Sequence, residues 1–252
     1  MEGWLPRTVR SRLDPNERYG LRATLFGLAV VLAGVPFGFL LDQVVRKGSL
    51  VRYDTAAARA LHHAVAGKRV LIWMLEVISF TGAPPFLTLI SISAGAFLIW
   101  RKRYRLGAFL AVTAIGGSLI DSVVKIVVDR DRPSVDHPII TAHGQSFPSG
   151  HTMSSTYVYG ALLLIFFPVI PKRWRAWAIA GWAFLVAAIG TSRLALGVHF
   201  ITDVVGGAVL GLAWLTASTA AFSIWRTERG RKPVQPTRGL EPEARRDLSK
   251  PA

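Results

Sequence analysis

Residues 23–41 read ATLFGLAVVLAGVPFGFLL and carry no charge. About 20 mostly apolar residues suffice for a helix to cross the hydrocarbon of a bilayer, so this run predicts a membrane span. Five arginines precede it: Arg7, Arg10, Arg12, Arg18 and Arg22. A cleaved leader would share that charge, but no small-x-small cleavage site follows the run, so the span is expected to be retained.

The same test applied outward gives more spans. Val70 to Trp100 is too long for one, and Gly82, Ala83, Pro84 and Pro85 break it, since proline interrupts a helix. The part before the break is too short to cross, leaving Pro85 to Trp100 as the core of the second span. Further spans are expected at Leu106–Val128, His151–Val169, Ala176–Gly190 and Phe200–Trp225. Between the first two lies Tyr53 to Lys68, where Asp54, Arg59, His62 and His63 interrupt a run of alanines. That segment predicts a helix on the membrane surface, with both histidines solvated. The expected fold is all-α, a polytopic bundle of about six transmembrane helices.

Charge separates the spans. The chain carries a formal net charge of +15, although 51% of it is hydrophobic and its mean hydropathy is +0.38. Such a balance can mark nucleic-acid binding. Here the basic residues flank apolar runs and no zinc-finger, homeodomain or RNP pattern occurs, so nucleic acid is excluded as a partner and the bilayer takes its place. Arg101, Lys102, Arg103 and Arg105, the group Lys172, Arg173 and Arg175, and both termini fall on one side of an even-span topology. The positive-inside rule makes that side cytoplasmic. Arg46, Lys47, Lys68 and Arg69 on the other side are a counter-signal. Three regions follow: a cytoplasmic segment 1–22, a transmembrane domain 23–225, and a basic cytoplasmic tail 226–252. The tail has almost no large apolar residue and is expected to be disordered. There is no cysteine, which removes thiol chemistry and cysteine metal sites.

Polar residues at the edge of hydrocarbon are costly, and they gather in two loops on the side away from the basic clusters. The first holds Lys125, Arg132 and Pro133, then Pro148, Ser149, Gly150 and His151; the second holds Ser192, Arg193, His199 and Asp203. Any one of them could be a snorkelling side chain, but the set is not a random one. Lys125 and Arg132 would share a helical face if the helix reaches Arg132. Ser149 suits an N-cap, where free N–H groups bind phosphate. His199 and Asp203 meet on one face at i, i+4, and a carboxylate on one imidazole nitrogen leaves the other free to attack. Three cations, a helix N-terminus and two histidines suit a tetrahedral anion.

The order Lys125-x6-Arg132-Pro133, Pro148-Ser149-Gly150-His151, Ser192-Arg193-x5-His199-x3-Asp203 resembles the three-part signature of the type 2 phosphatidic acid phosphatase (PAP2) superfamily, which includes vanadium haloperoxidases. Every signature position is filled, and the likeness covers roughly Arg22 to Trp225. The resemblance implies that His199 is the nucleophile, that Asp203 orients it and that His151 protonates the leaving oxygen. It implies that Lys125, Arg132, Ser149, Gly150 and Arg193 hold the phosphate oxygens, with no metal or other cofactor. Asp129, Arg130, Asp131 and His143 lie outside the signature and are expected to be solvated or at the rim. The implied activity is that of a lipid phosphatase, with the site on the extracytoplasmic face. Undecaprenyl diphosphate is the expected substrate; phosphatidate, phosphatidylglycerol phosphate and transfer to another acceptor are the alternatives.

Overall fold

The structure, a computed structural model, describes residues 21–134, 139–228, 234 and 238–249. Nearly all of the expected segment 1–22 therefore lies outside the described residues. Those described form helices and loops, with no strand among them.

The first span starts as α1 (Leu21–Leu32), widens into a π-turn at Ala33–Phe37 and continues as α2 (Gly38–Val45). Pro36 sits inside the wide turn, where its missing N–H leaves no ordinary helical bond to break. A short turn leads to α3 (Ser49–Val65). Next come α4 (Arg69–Thr81) and α5 (Pro84–Trp100), bent by 42° about the Gly82 break. The remaining long elements are α6 (Tyr104–Val128), α7 (Gly150–Phe166), α8 (Arg175–Ala195) and α9 (Ile201–Glu228).

Among the described residues, four helical stretches are long and apolar enough to cross a membrane: Ala23–Val45, Tyr104–Val128, Lys172–Ala195 and Ile201–Arg226. The bent α4–α5 pair makes a fifth. The sixth expected span is α7, whose 17 residues fall short of that length. It is also the most enclosed helix, packed on α9, α6, α8 and α5. The expectation of about six spans thus holds only approximately. Outward from α7 the surface is apolar: Phe26, Ile115, Leu119, Ile126, Trp177 and Phe184 are all exposed. An exposed belt of that kind is what lipid, rather than water, covers.

Three expectations need correction. First, α3 is not simply a surface helix. Asp54, Ala58, His62 and Val65 form a buried stripe along it, and His62 is buried while His63 is exposed. Second, the apolar segment before the Gly82 break, expected to lie outside the second span, is a helix that packs on α8 and pairs with α5 in one bent span. Third, the described part of the tail is ordered. Arg238–Ser249 lies against the end of α7, with Leu240 N–H donating to the Leu164 carbonyl (3.2 Å). Leu240 and Ala244 are buried there. Ion pairs hold it: Arg226 to Glu241 at 3.0 Å and to Glu243 at 2.7 Å, and Arg103 to Asp247.

The α7–α9 interface fixes the end of the bundle where the sequence motifs meet. A Cβ on Gly207 would stand 2.6 Å from the Ser149 carbonyl oxygen, so only glycine lets α9 approach the start of α7 so closely. Gly207→Ala is therefore expected to cost about 1–3 kcal/mol by overpacking and to lower the thermal midpoint in detergent; an unchanged midpoint would contradict the tight α7–α9 approach.

Candidate active site

Helix α6 stops at Val128 because Asp129 adopts a left-handed conformation (φ 46°), its N–H closing on the Lys125 carbonyl at 2.9 Å. Aspartate tolerates that conformation better than most residues. Arg132 therefore lies beyond the helix, and the expectation that Lys125 and Arg132 share one helical face does not hold. The loop returns on itself instead: Ser146 N–H donates to the Arg130 carbonyl (2.8 Å) and Ser146 Oγ to the Asp131 carbonyl (2.9 Å).

Inside that loop the Arg132 guanidinium is fully engaged. Nε donates to the Gly144 carbonyl (2.9 Å), and Nη2 to those of His143 (3.2 Å) and Gln145 (3.1 Å). Nη1 donates to the Val198 carbonyl (2.9 Å) and lies 3.2 Å from His199 Nε2. Arginine has no acceptor, so the last contact is a hydrogen bond only if Nε2 carries a lone pair. The proton then sits on Nδ1, which faces Asp203 Oδ2 at 3.4 Å. Both neighbours select the same tautomer.

Asp203 is completely buried in the first turn of α9. Its Oδ2 also accepts the Phe200 N–H (2.9 Å), and its backbone carbonyl accepts the Ser149 N–H (2.9 Å). The second bond ties the start of α7 to the His199–Asp203 pair. Ser149 occupies the N-cap position without a side-chain cap, its Oγ accepting from Thr152 Oγ1 (3.2 Å) instead. The first-turn N–H groups of α7 are left without an intrahelical acceptor, the arrangement that receives anions. A Cβ on Gly150 would stand 2.7 Å from Lys125 Nζ, so glycine is what lets the lysine reach over the helix start. Lys125 in turn pairs with Asp121 at 2.6 Å. Arg193 is buried and donates from Nη1 to Ser79 Oγ of α4 (2.8 Å); its Nε has no partner among the described residues. His151 lies within electrostatic reach of Arg193, His199, Lys125 and Arg132. The three motifs are thus one site, and all eight residues expected from the sequence lie in or beside it.

Sequence reasoning missed four. Arg130, expected to be solvated or at the rim, is nearly buried: Nη1 donates to Asp203 Oδ1 (2.5 Å) and Thr202 Oγ1 (2.7 Å), and Nη2 to Asp54 Oδ2 (2.9 Å). Asp54, Asp121 and Ser79 complete the list. Asp54 had a signal, a carboxylate on the same stripe as Ala58 and Val65 of α3. In the Asp129–Arg132 run nothing in the spacing sets Arg130 apart.

A model of the PAP2 superfamily matches residues 105–226. Phosphatidylglycerophosphatase B of Bacillus subtilis (strain 168) is 33% identical over 168 residues, 63% of this chain and 81% of that protein. The chain belongs to the PAP2 superfamily. Another relative, the decaprenylphosphoryl-5-phosphoribose phosphatase of Mycolicibacterium smegmatis, is 35% identical over 166 residues, 62% of this chain and 82% of that one. Among solved structures, a transmembrane PAP2 type phosphatidylglycerolphosphate phosphatase from Bacillus subtilis superposes with a TM-score of 0.63 at 26% identity, covering 78% of this chain and 93% of that one. The bundle is therefore that of a PAP2 membrane protein.

Burial pushes the His199 imidazole down to about 4; the hydrogen bond and charge of Asp203 oppose that shift, and Arg132 and Arg193 reinforce it. Arg132 is likewise lowered, by burial first, against the attraction of Asp203. Since burial penalises the imidazolium, His199 is expected to stay neutral down to about pH 5 and to gain its proton only below that. Imidazole 15N shifts, assigned with a His199→Ala variant, check this; a midpoint near the ordinary histidine value of about 6.5 would contradict the burial.

Proposed function

We propose that this protein is a membrane phosphatase that hydrolyses a lipid phosphate through a phosphohistidine on His199. The observation that carries the reading is the Nε2 lone pair of His199, held between Arg132 at 3.2 Å and, across the ring, Asp203 at 3.4 Å. Nε2 attacks phosphorus, the P–N bond forms and the P–O bond to the leaving group breaks. His151 gives its proton to the leaving oxygen. The positive charge that appears on the phosphorylated ring is balanced by Asp203. Water then attacks the phosphohistidine, His151 takes its proton, and inorganic phosphate and free His199 result. Lys125, Arg193 and the first-turn N–H groups of α7 from Gly150 on hold the equatorial oxygens, and Arg132, kept beside Nε2 by four backbone carbonyls, adds its charge, as phosphoryl transfer requires charge and position above all.

Metal independence belongs to the same proposal. Its support is that cationic side chains surround the His199–His151 pair, the role a divalent ion has elsewhere. Among the described residues no group of three His, Cys, Asp or Glu is placed to share an ion.

For the substrate, the relatives named for phosphatidylglycerophosphate favour a glycerolipid phosphomonoester over the undecaprenyl diphosphate expected from sequence. The decaprenyl-linked relative supports a polyprenyl phosphate as the second reading. The site is proposed to face away from the cytoplasm, with both termini inside. The support is that Arg101–Arg105 and Lys172–Arg175 lie at the other ends of the spans that lead to the site.

Phosphate release by purified protein from phosphatidylglycerophosphate, phosphatidate and undecaprenyl diphosphate tests the substrate. A tenfold or larger kcat/KM advantage for the diphosphate, about 1.4 kcal/mol of transition-state binding, would reverse the preference. His199→Ala should retain the fold and lose all turnover, and Asp203→Asn should lower kcat by about 10²–10⁴-fold. Activity should persist in EDTA and fall with vanadate, a mimic of five-coordinate phosphorus; loss in chelator restored by magnesium would refute metal independence. In intact cells, cysteine at Ser134 should react with an impermeant maleimide and cysteine at Lys172 should not; the reverse pattern would overturn the orientation.

A further inference from the structure

Asp203 has two oxygens with two different tasks. Oδ2 serves Phe200 N–H at 2.9 Å and His199 Nδ1 at 3.4 Å. Oδ1 meets Arg130 Nη1 at 2.5 Å. The plane of this carboxylate, which has no exposed surface, is fixed by where that partner stands. Arg130 is itself fixed on three sides. Its Nη2 lies 2.9 Å from Asp54 Oδ2, its Nη1 lies 2.7 Å from Thr202 Oγ1, and its guanidinium carbon stands 4.2 Å above the Phe200 ring. Asp54, buried on α3, closes the circuit: Oδ1 accepts the Thr202 N–H at 3.1 Å and Oδ2 accepts the Thr202 hydroxyl. It thereby caps the first turn of α9, the turn that carries Asp203, from a helix far away in the chain.

We propose that Arg130 and Asp54 are positioning residues for the reaction: a buried Asp54–Arg130–Asp203 relay, anchored on α3, sets the angle and the charge of the carboxylate behind His199. The proposal rests on the reading of His199 as nucleophile. Neither residue is part of the three-part signature, and the side-chain hydrogen bonds of both run to Thr202, Asp203 and each other. Arg130 stands between two carboxylates, so the relay carries a net negative charge whose size depends on both outer members. The other charged groups facing His199 are Arg132 from the loop and Arg193 from α8, with His151 of α7 beside it and Lys125 of α6 beyond.

A purely structural staple and a charge-setting relay predict different behaviour. Removing Arg130 takes away a positive charge, so the His199 imidazolium is stabilised and its titration moves up. Removing the charge of Asp54 leaves Arg130 less neutralised, so the titration moves down. Structural loosening alone would move both variants the same way, toward the ordinary histidine value. The test measures phosphate release against pH in detergent for the native protein, Arg130→Gln, Arg130→Lys and Asp54→Asn. The 15N titration of His199 is followed in the same four proteins, and that second readout needs no turnover. Arg130→Gln is expected to lower kcat by about 100-fold with KM within about threefold, and to shift the acid limb of kcat/KM and the His199 titration upward by about one pH unit. Asp54→Asn should shift both downward, with a loss in kcat of about tenfold. Arg130→Lys, which keeps the charge and loses the two-sided geometry, should leave the titration in place and recover part of kcat. Shifts of the same sign in Arg130→Gln and Asp54→Asn, no shift in either, or a loss confined to KM would overturn the relay. Should Arg130→Gln fail to fold, opposed behaviour of Asp54→Asn and Arg130→Lys decides it: a downward shift in the first with none in the second supports the relay, and any other pair of shifts overturns it. Native protein that frees no phosphate from any lipid would end the phosphatase reading, and the 15N titrations would still judge the relay.

Discussion

A carboxylate with no access to water has to be neutralised, paired or protonated, and at Asp203 the surrounding chain is arranged to pair it. Isolated buried charge is costly enough to unfold a protein of ordinary stability. The segments at this end of the bundle are placed as its partners require. The backbone of Phe200 turns an N–H toward it, the loop after α6 brings Arg130, and Asp54 on α3 holds Arg130 in place. Its backbone oxygen receives Ser149 and so sets where α7 begins. His199 takes the side of the carboxylate that remains. The orientation of the proposed nucleophile and the ordering of four segments are thus one electrostatic solution.

The surrounding bundle supplies what such a solution needs, helices that approach closely enough to enclose polar groups beside an apolar core. On the lipid side the helices expose large apolar side chains; on the inner side of α7 and α9 they bury serine, threonine and glycine. Close approach through small residues is the common way of packing helices where lipid tails are as apolar as the side chains. Thr113, Thr156, Thr216, Ser218 and Thr219 return their hydroxyls to carbonyls one turn back in their own helices, so these five side chains line the bundle with their hydroxyls bonded.

Much of this was legible in the sequence, for reasons that differ by element. Apolar run length locates the spans, because the bilayer fixes how much hydrocarbon a helix must cross. It misjudges α7, whose 17 residues are governed by protein neighbours rather than by lipid. The motif residues His151, His199, Asp203, Lys125, Arg132, Ser149, Gly150 and Arg193 were legible because their spacing is local to two loops. Of the four residues that were missed, Asp121 pairs locally with Lys125, while Asp54, Ser79 and Arg130 act across the chain on Thr202, Arg193 and Asp203; the helical stripe marks Asp54 as buried without naming its partner. A spacing pattern carries no information about such pairings. The expected span Leu106–Val128 ends where α6 does; what the sequence did not show is that the left-handed Asp129 makes the stop and leaves Arg132 outside the helix. The tail was misjudged because composition weighs apolar content and ignores that Glu241 and Glu243 answer Arg226.

No single helix owns the site. α3 lends Asp54, α4 Ser79, α6 Lys125, α7 His151, α8 Arg193 and α9 Asp203, and hydrogen bonds near 3 Å tie α3 to α9 and α4 to α8. A detergent micelle that lets the helices drift by an ångström would leave every turn of helix intact, and a far-ultraviolet circular dichroism spectrum would look native. Turnover would already be gone. For choosing a solubilising agent, specific activity is therefore the sensitive gauge of whether this bundle has survived extraction, and helical content is a poor one.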